Sequence, residues 1–276
     1  TRKMWCHYFS GSKKSGFEVT EQYNGTQVQL AGVLAEWFLN RASGEARYRE
    51  LKSTHYYSDT NQWEASDGPL DRHGERIINL ETQLYGILVE AIVGDSQSAR
   101  AQYEALKGPM SYDANHQQWI GITITDGHAP QSEINLLGVL AEAQFDCSLA
   151  ERHYRNLQAT PLWNPEEHLW NQWMTRGQRP STDSRWNINF TRDQLLGVWA
   201  ESVFNKKQAK QYLGELKKRG FYDEERALWN RFKAPEEDTI FYSQYPQDQL
   251  FAIIVELQLQ GALDQETGPI PETRHF

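Results

Sequence analysis

The chain of 276 residues lacks most of the short motifs that reveal a function directly. It has two cysteines, Cys6 and Cys147, which exclude a disulfide framework and leave either two free thiols or one long-range disulfide. No apolar run approaches the roughly 20 residues that cross a bilayer, so no membrane association is expected. HExxH, EF-hand, P-loop, CxxC and GxGxxG motifs are missing too, and we therefore expect neither a metal nor a cofactor.

Positive charge is also scarce. The chain has 28 Lys and Arg against 37 Asp and Glu, for a net charge of -9. This balance argues against a nucleic-acid partner, since phosphate binding needs clustered cations, and it mildly disfavours acidic polymers as ligands. Hydrophobic residues make up 39% of the chain and ten are Trp, which indicates a folded, soluble protein. The compartment stays open between secreted and cytoplasmic, with a lean to secreted.

What the sequence does contain is a repeat. An eight-residue pattern recurs five times and reads amide, Leu, any residue, small, Val or Ile, bulky apolar, Ala or Val, Glu. The copies are 29–36, 83–90, 135–142, 194–201 and 249–256. This recurrence predicts a single repeat domain over 1–276, with repeats beginning near residues 27, 81, 133, 192 and 247. Residues 1–25 form an N-terminal extension and 261–276 a C-terminal tail.

Each repeat has the same internal order. A helix that is apolar nearly all round comes first, and a helix with a single apolar stripe follows after a short polar joint. The first helix should be buried on every side, and the second should face water on its polar sides. An aromatic residue, a capping residue and a closing Trp come next, which we interpret as a capped short helix. The aromatic residues are Tyr57, Tyr112, Trp163 and Tyr222, and the closing residues are Trp63, Trp119, Trp170 and Trp229.

Long connections then lead to the next inner helix, over 64–79, 120–132, 174–191 and 233–247. In an array of antiparallel hairpins, joints of one kind lie at one end, so these connections should gather where the inner helices begin. Five inner and four outer helices are visible, and the fifth inner helix, about 247–260, has no evident outer partner. We predict an all-α fold of α/α hairpins closed into a toroid, with an open α-solenoid as the alternative.

This arrangement resembles the α/α-toroid enzymes, which include six-hairpin glycosidases and toroid polysaccharide lyases. The resemblance rests on hairpins that repeat every 52 to 59 residues and on the aromatic-Asp…Leu-Trp element over 222–229. It covers 27–260 at the level of architecture, it matches no catalytic signature of one family, and the hairpin count is five instead of six. The resemblance implies a carbohydrate substrate and a cleft at the end where the inner helices begin.

Residues that recur in every copy should build the fold, and residues that depart from the recurrence are free to serve function. The recurrent glutamates and amides therefore have a structural interpretation. Just before the amide, only two copies have an acid, namely Asp193 and Asp248. These acids could stabilise the helix dipole or act as acid and base in glycosidic cleavage. Glu81 and Glu133 lie one position earlier and add acids at the same rim.

The long connections supply further candidates. Asp71-Arg72-His73 and Asp126-Gly127-His128 each bring a carboxylate and an imidazole together, which suits a base and its orienting group or a metal ligand pair, although a solvated polar loop is the favoured explanation. His73 and His128 are alternative catalytic bases. Aromatic and polar residues before the last two inner helices suit sugar rings, or are ordinary packing. The candidates for substrate binding are Asp71, Arg72, Asp126, Asp183, Arg185, Trp186, Asn187, Tyr242 and Tyr245.

Three functions compete on this evidence. The first is a carbohydrate-active enzyme, a glycoside hydrolase or a polysaccharide lyase, with a carbohydrate ligand at the N-terminal ends of the inner helices. The second is a non-catalytic repeat protein for ligand binding, protein binding or assembly. The third is a terpenoid-type cyclase, which ranks last because no DxDD or DDxxD run is present. The fifth inner helix could also support self-association.

Overall fold

A computed structural model describes residues 25–64, 79–109, 111–123, 127–172, 189–230, 232–233, 240–241 and 246–261. At residues 121–123, 127–129, 232–233 and 240–241 it describes the backbone alone. The N-terminal extension before residue 25, the tail after residue 261 and much of the long connections therefore lie outside the described residues.

Five helices stand side by side at the centre of the molecule. They are α1 (Thr26–Leu39), α3 (Leu80–Val93), α5 (Ser132–Ala143), α7 (Thr191–Phe204) and α9 (Pro246–Gln260). Each packs against the next, and α9 packs against α1, so the ring closes within one chain. Helices that are apolar all round need neighbours on all sides, and closure provides them. The predicted toroid is confirmed, and the open solenoid is excluded by the contact between α1 and α9.

The outer helices pack on the inner ring through their single apolar stripe. They are α2 (Arg41–His55), α4 (Ser96–Leu106), α6 (Cys147–Gln158) and α8 (Lys206–Leu216). Each joint from an inner to an outer helix ends in an Asn or Asp whose side chain accepts a backbone N–H of the outer helix. This cap satisfies a donor that the first helical turn leaves unpaired, so the polar joints fix where the outer helices begin. The caps are Asn40, Asp95, Asp146 and Asn205.

The element that follows each outer helix is a β-hairpin, so the predicted short helix is wrong. The hairpins pair β1 (Tyr56–Tyr57) with β2 (Gln62–Trp63), β3 (Tyr112–Asp113) with β4 (Gln118–Thr123), β6 (Trp163–Asn164) with β7 (Leu169–Trp170), and β9 (Tyr222–Asp223) with β10 (Leu228–Trp229). The aromatic residue opposite the closing Trp is Tyr56 in the first hairpin, one residue before the predicted Tyr57.

A four-residue turn explains why these segments resemble helices in sequence. In three of the hairpins an Asp or Asn accepts backbone N–H groups from the turn, as it would at a helix N-terminus. The last turn residue then has a positive φ of 53–55°, which reverses the chain into the second strand. The residues with positive φ are Asn61, Gln117, His168 and Ala227.

The recurrent amide holds the backbone of the Trp that closes the preceding hairpin. Trp170 donates its backbone N–H to Gln194 Oε1 over 2.8 Å, and Gln194 Nε2 donates to the Trp170 carbonyl over 2.8 Å. The amide thus acts as a neighbouring strand would and satisfies both backbone groups. The same pair of bonds, between 2.7 and 2.9 Å, joins Gln83 to Trp63, Asn135 to Trp119 and Gln249 to Trp229.

The recurrent glycine makes room for the ring of that Trp. A Cβ built on Gly197 would lie 2.1 Å from Trp170 Nε1, and Gly86 and Gly138 meet the indoles of their own hairpins in the same way. One turn of helix separates the amide from the glycine, so both face the hairpin. The last copy has Ala252 at this position.

The recurrent glutamate lies two turns beyond the amide and pairs with a cation from the preceding outer helix or the turn after it. Lys52 Nζ is 2.8 Å from Glu90, and Arg155 Nη1 is 2.9 Å from Glu201. Lys107 and Lys217 make the corresponding pairs with Glu142 and Glu256. The structural interpretation is therefore confirmed for these four glutamates, each of which ties its inner helix to the preceding outer helix or to the turn after it.

Parts of the long connections form small sheets where the inner helices begin. The connection predicted over 120–132 is largely a hairpin, in which β4 pairs with β5 (Gly127–Pro130). Farther along, β11 (Phe232–Lys233) pairs with both β8 (Asn189–Phe190) and β12 (Ile240–Phe241). Because β8 leads directly into α7, two connections from different repeats meet at one rim, as the repeat pattern predicts.

Candidate active site at the N-terminal rim

The rim at which the inner helices begin carries a polar group inside an otherwise apolar ring. Two residues before each recurrent amide, all five helices have a polar residue at the same height in the first turn. These residues are Gln27, Glu81, Glu133, Arg192 and Gln247. The central contacts of the site are made by four of them, from α3, α5, α7 and α9, together with Tyr85 of α3.

Arg192 is the hub of this group. Its Nη2 forms an ion pair with Glu133 Oε2, and its Nη1 donates to Gln247 Oε1 over 3.0 Å. Glu81 Oε1 lies 3.8 Å from the same Nη1. A guanidinium has a rigid fork of donors, so it can hold several acceptors in fixed directions at once. Arg192 thus connects α7 to three other inner helices.

Tyr85 closes the network from below the first turn. Its hydroxyl donates to Glu133 Oε1 over 2.9 Å and accepts from Gln247 Nε2 over 2.8 Å. Burial and the neighbouring Glu133 raise the pKa of Tyr85 well above its usual range, so its hydroxyl stays a donor at neutral pH. The bonds among Arg192, Glu133, Tyr85 and Gln247 form a closed circuit.

The carboxyl groups of this site hold their protons unusually well. Burial, opposed by Arg192 and reinforced by Glu81, raises the pKa of Asp193 to about 7. Burial likewise raises the pKa of Glu133 well above its usual range, with Arg192 opposing and the Glu81 and Asp193 carboxyls adding to the rise. One guanidinium cannot neutralise three carboxylates away from water, so protons make up the difference. A carboxyl that titrates near neutrality can both donate and accept a proton.

Exposure decides which of these groups a ligand meets first. The Glu81 and Arg192 side chains are 24% and 25% exposed. Asp193 and Asp248 are only 1% and 3% exposed. Asp193 Oδ2 is buried and has no hydrogen-bond partner among the described residues. A ligand at the rim would therefore touch Glu81 and Arg192 directly, with Asp193 immediately beneath them.

The structure describes two of the four predicted catalytic residues completely. Asp193 and Asp248 lie in the first turns of α7 and α9, which are neighbours in the ring. His128 lies in β5, at the rim connection before α5, and its side chain is outside the description. The other candidates also lie outside the described residues, namely His73, Asp71, Arg72, Asp126, Asp183, Arg185, Trp186, Asn187, Tyr242 and Tyr245.

Sequence reasoning missed three members of the site, Arg192, Tyr85 and Gln247. A signal existed for Arg192 and Gln247, because they occupy the same register as Glu81 and Glu133 and differ from them in chemistry. Tyr85 occupies the variable position of the repeat, where the other copies have Ala, Leu or Phe. Within the described part of the chain, no group of three or more His, Cys, Asp and Glu side chains is arranged to hold a metal ion.

Two grooves on the outer surface of the described structure offer other places for a ligand. One of about 480 Å³ runs between the β6–β7 hairpin and α8, and Trp163 and Tyr212 line it. Another, of about 510 Å³, lies at the first hairpin and α4 and is lined mainly by small polar and aliphatic residues. Neither contains the polar rim group. None of the described helices is long and apolar enough to cross a membrane.

The fold and the rim together define the chain as a closed α/α toroid with an acid-rich first turn. No protein-family model matches the chain, and no curated protein matches its sequence. Solved structures do share its fold. A D-mannose isomerase aligns with a TM-score of 0.55 at 11% identity, over 94% of this chain and 91% of the isomerase.

Two further structures extend this comparison. A cellobiose 2-epimerase from Bacillus thermoamylovorans B4167 aligns with a TM-score of 0.56 at 11% identity, over 88% of this chain and 76% of the epimerase. An endoglucanase of glycosyl hydrolase family 8 from Klebsiella pneumoniae aligns with a TM-score of 0.56 at 12% identity, over 90% of this chain and 93% of the endoglucanase. The predicted resemblance to α/α-toroid enzymes is thereby confirmed at the level of fold.

Proposed function

We propose that this protein is a carbohydrate-active enzyme whose reaction takes place at the N-terminal rim of the inner helices. The observation that carries the proposal is the carboxyl of Asp193, with a pKa of about 7, beside Glu81 and Arg192 at the one rim where long connections meet. Perturbed carboxyls in such positions suit proton transfer. The named activities of proteins with the same fold, which act on mannose, cellobiose and glucans, support a sugar as the substrate.

In this proposal the buried acids exchange protons and the exposed groups hold the sugar. Asp193 and Asp248 are the acid and base candidates, and Glu81 is added because its carboxyl is the more exposed one. His73 and His128 are alternative bases from the connections. Contacts with the sugar come from the connections as well, and their candidates are Asp71, Arg72, Asp126, Asp183, Arg185, Trp186, Asn187, Tyr242 and Tyr245.

For a hydrolase, one carboxyl protonates the glycosidic oxygen while the second activates water or attacks the sugar. The group that protonates must keep its proton near neutral pH, and Asp193 meets that requirement. A separation of roughly 5–5.5 Å between the two working carboxyls would give retention, and one of roughly 6.5–9.5 Å would give inversion. A polysaccharide lyase uses a base to remove the proton from the carbon that bears the carboxyl group, after which the glycosidic oxygen leaves the neighbouring carbon, and Asp193 could serve as that base.

A second candidate is a sugar isomerase or epimerase. It is favoured by the alignment with D-mannose isomerase, which covers 94% of this chain and 91% of the isomerase. Moving a proton beside a carbonyl needs a group that can take and return it at the working pH. The pKa of Asp193, about 7, fits that reaction as well as it fits hydrolysis.

The test is a panel of saccharides with wild-type protein and matched variants. Cellotetraose and xylotetraose report hydrolysis, mannose and cellobiose report isomerisation or epimerisation, and polygalacturonate reports lyase activity. We expect at least a roughly 100-fold loss of kcat/KM in Asp193→Asn or Glu81→Gln, as for a lost acid or base. Glu104→Gln is the control, since Glu104 is an exposed acid on α4.

Full activity in Asp193→Asn would remove Asp193 from the mechanism. A wild-type protein that converts no saccharide but still binds one would support the non-catalytic alternative. Self-association through α9 also remains a proposal, and sedimentation at several protein concentrations tests it. The inward sides of α9 are covered by α1 and α7, which leaves Ile253, 39% exposed, as an apolar contact on its outer side.

A further inference from the structure

We infer that the rim site selects neutral saccharides and rejects glycans whose sugars carry carboxylates. This inference rests on the proposed function and goes beyond it, since it decides between neutral glycans and uronate-containing ones. It follows from the charges that line the rim and from the way its cation is held.

The first turns of the five inner helices carry an excess of acid. They contain four carboxyls, those of Glu81, Glu133, Asp193 and Asp248, and Arg192 is their only cation. These five side chains lie at nearly the same height in the ring, because each is one or two residues before the recurrent amide of its helix. Within these first turns the carboxyls outnumber the cation four to one, so a carboxylate that approached them would meet mainly acidic side chains.

Arg192 already serves acceptors within the chain. Its Nη2 is paired with Glu133, and its Nη1 donates to Gln247 with Glu81 close by. Glu133 and Gln247 are in turn fixed by the Tyr85 hydroxyl. An incoming carboxylate would compete with Glu133 for the guanidinium, and a Glu133 side chain displaced from Arg192 would stay buried without its cation. Removing one partner from a buried pair is strongly unfavourable.

The protonation of the rim acids supports the same conclusion. Asp193 and Glu133 have raised pKa values because the site is buried and already has too much negative charge. One more carboxylate would raise them further, so a uronate could bind only together with protons. By contrast, a sugar hydroxyl brings a donor that a carboxylate lacks. The rim offers acceptors for it, namely the Glu81 carboxylate and, beneath it, the unpartnered Oδ2 of Asp193.

The experiment uses pairs of ligands with the same sugar and linkage, one member neutral and the other anionic. Cellotetraose is compared with cellotetraose whose C6 hydroxymethyl groups have been oxidised to carboxylates, and the methyl ester of tetragalacturonate is compared with tetragalacturonate. Binding to the full chain is measured by calorimetry in about 10 mM and about 300 mM salt, at pH near 8 and near 5. Turnover of each ligand is followed in parallel.

We expect the neutral member of each pair to bind at least about 10-fold more tightly in low salt at pH 8. The difference should shrink in high salt, because ions screen the repulsion, and at pH 5, because the rim acids take up protons. The Glu133→Gln variant, which replaces the carboxyl that holds Arg192 with a neutral amide, should reduce the discrimination at least about 3-fold. Glu104→Gln makes the same substitution on the exposed side of α4 and should leave the discrimination unchanged.

Three outcomes are distinguishable. Tighter binding of the neutral ligand, with the stated salt and pH dependence, supports the inference. Equal or tighter binding of the oxidised ligand overturns it, while turnover of that ligand would keep the carbohydrate-active function in place. If no member of either pair binds or is converted, and the saccharide panel is inert as well, the proposed function itself fails. The salt and pH series on wild-type protein decide the matter even if Glu133→Gln does not fold.

Discussion

At the scale of single residues, the rim contains a buried acid that differs from the recurrent polar residues of the repeat. The recurrent amides and glutamates form hydrogen bonds and ion pairs with the neighbouring hairpins. Asp193 differs, because it is buried, its Oδ2 lacks a partner among the described residues, and its pKa is raised. A group kept in such an unfavourable environment is typical of a functional site.

This difference predicts how stability depends on pH. The folded protein holds the Asp193 proton up to a pKa of about 7, whereas the unfolded chain releases it near 3.8. The folded state therefore binds more protons in this window, and the free energy of unfolding should fall as pH rises from about 4 to about 7.

The measurement is urea unfolding of wild-type protein and Asp193→Asn at several pH values. Asn cannot ionise, so the variant should gain stability relative to wild type between pH 4 and pH 8. The difference between the two proteins therefore reports Asp193 together with its effect on the neighbouring Glu133. A stability difference that stays constant over this range would show that the Asp193 carboxyl is not held protonated.

The sequence reveals only part of this residue-scale chemistry. Asp193 is detectable because it departs from the repeat, whereas the role of Arg192 depends on partners in other helices. Gln247 and Tyr85, for example, are bonded across 162 positions of sequence. Contacts between residues so far apart cannot be deduced from a single sequence. The sequence therefore predicts the rim and its acids but not the hydrogen-bond circuit that joins them.

At the scale of elements, one stripe on each inner helix organises the repeat. The amide, the glycine and the glutamate follow one another at intervals of about one helical turn. All three therefore face the preceding hairpin. The helices were predictable because their periodicity is strong. The hairpin was mistaken for a short helix because its turn uses the same Asp or Asn cap that begins a helix.

The glycine of this stripe gives a prediction with a matched control. In Gly197→Ala the added methyl would collide with the Trp170 ring, and we expect a loss of about 1–3 kcal/mol in unfolding free energy. In Gly214→Ala nothing lies within 4 Å of the new Cβ, and we expect the free energy of unfolding to rise by about 0.5–1 kcal/mol because alanine favours the helix over glycine. Thermal and urea unfolding measure both. Equal effects at the two sites would contradict the close packing of Trp170.

At the scale of the whole molecule, closure of the ring explains where a site can form. The five inner helices pack against one another around the ring, so we expect a ligand of the ring to meet the ends of these helices. The sequence predicts closure from this all-round apolarity and predicts one rim from the repeated order of short and long joints. The path of the long connections could not be predicted, because they lack the regular spacing of apolar residues from which the helices were predicted.

The most direct test of the account is to locate a bound saccharide on the molecule. Crystals of the protein soaked in cellotetraose or xylotetraose, with Glu81→Gln as a slow variant that preserves the complex, would show its position. We predict density at the N-terminal rim, in contact with Glu81 and Arg192. Density confined to the outer groove beside Trp163 and Tyr212, with none at the rim, would contradict the account.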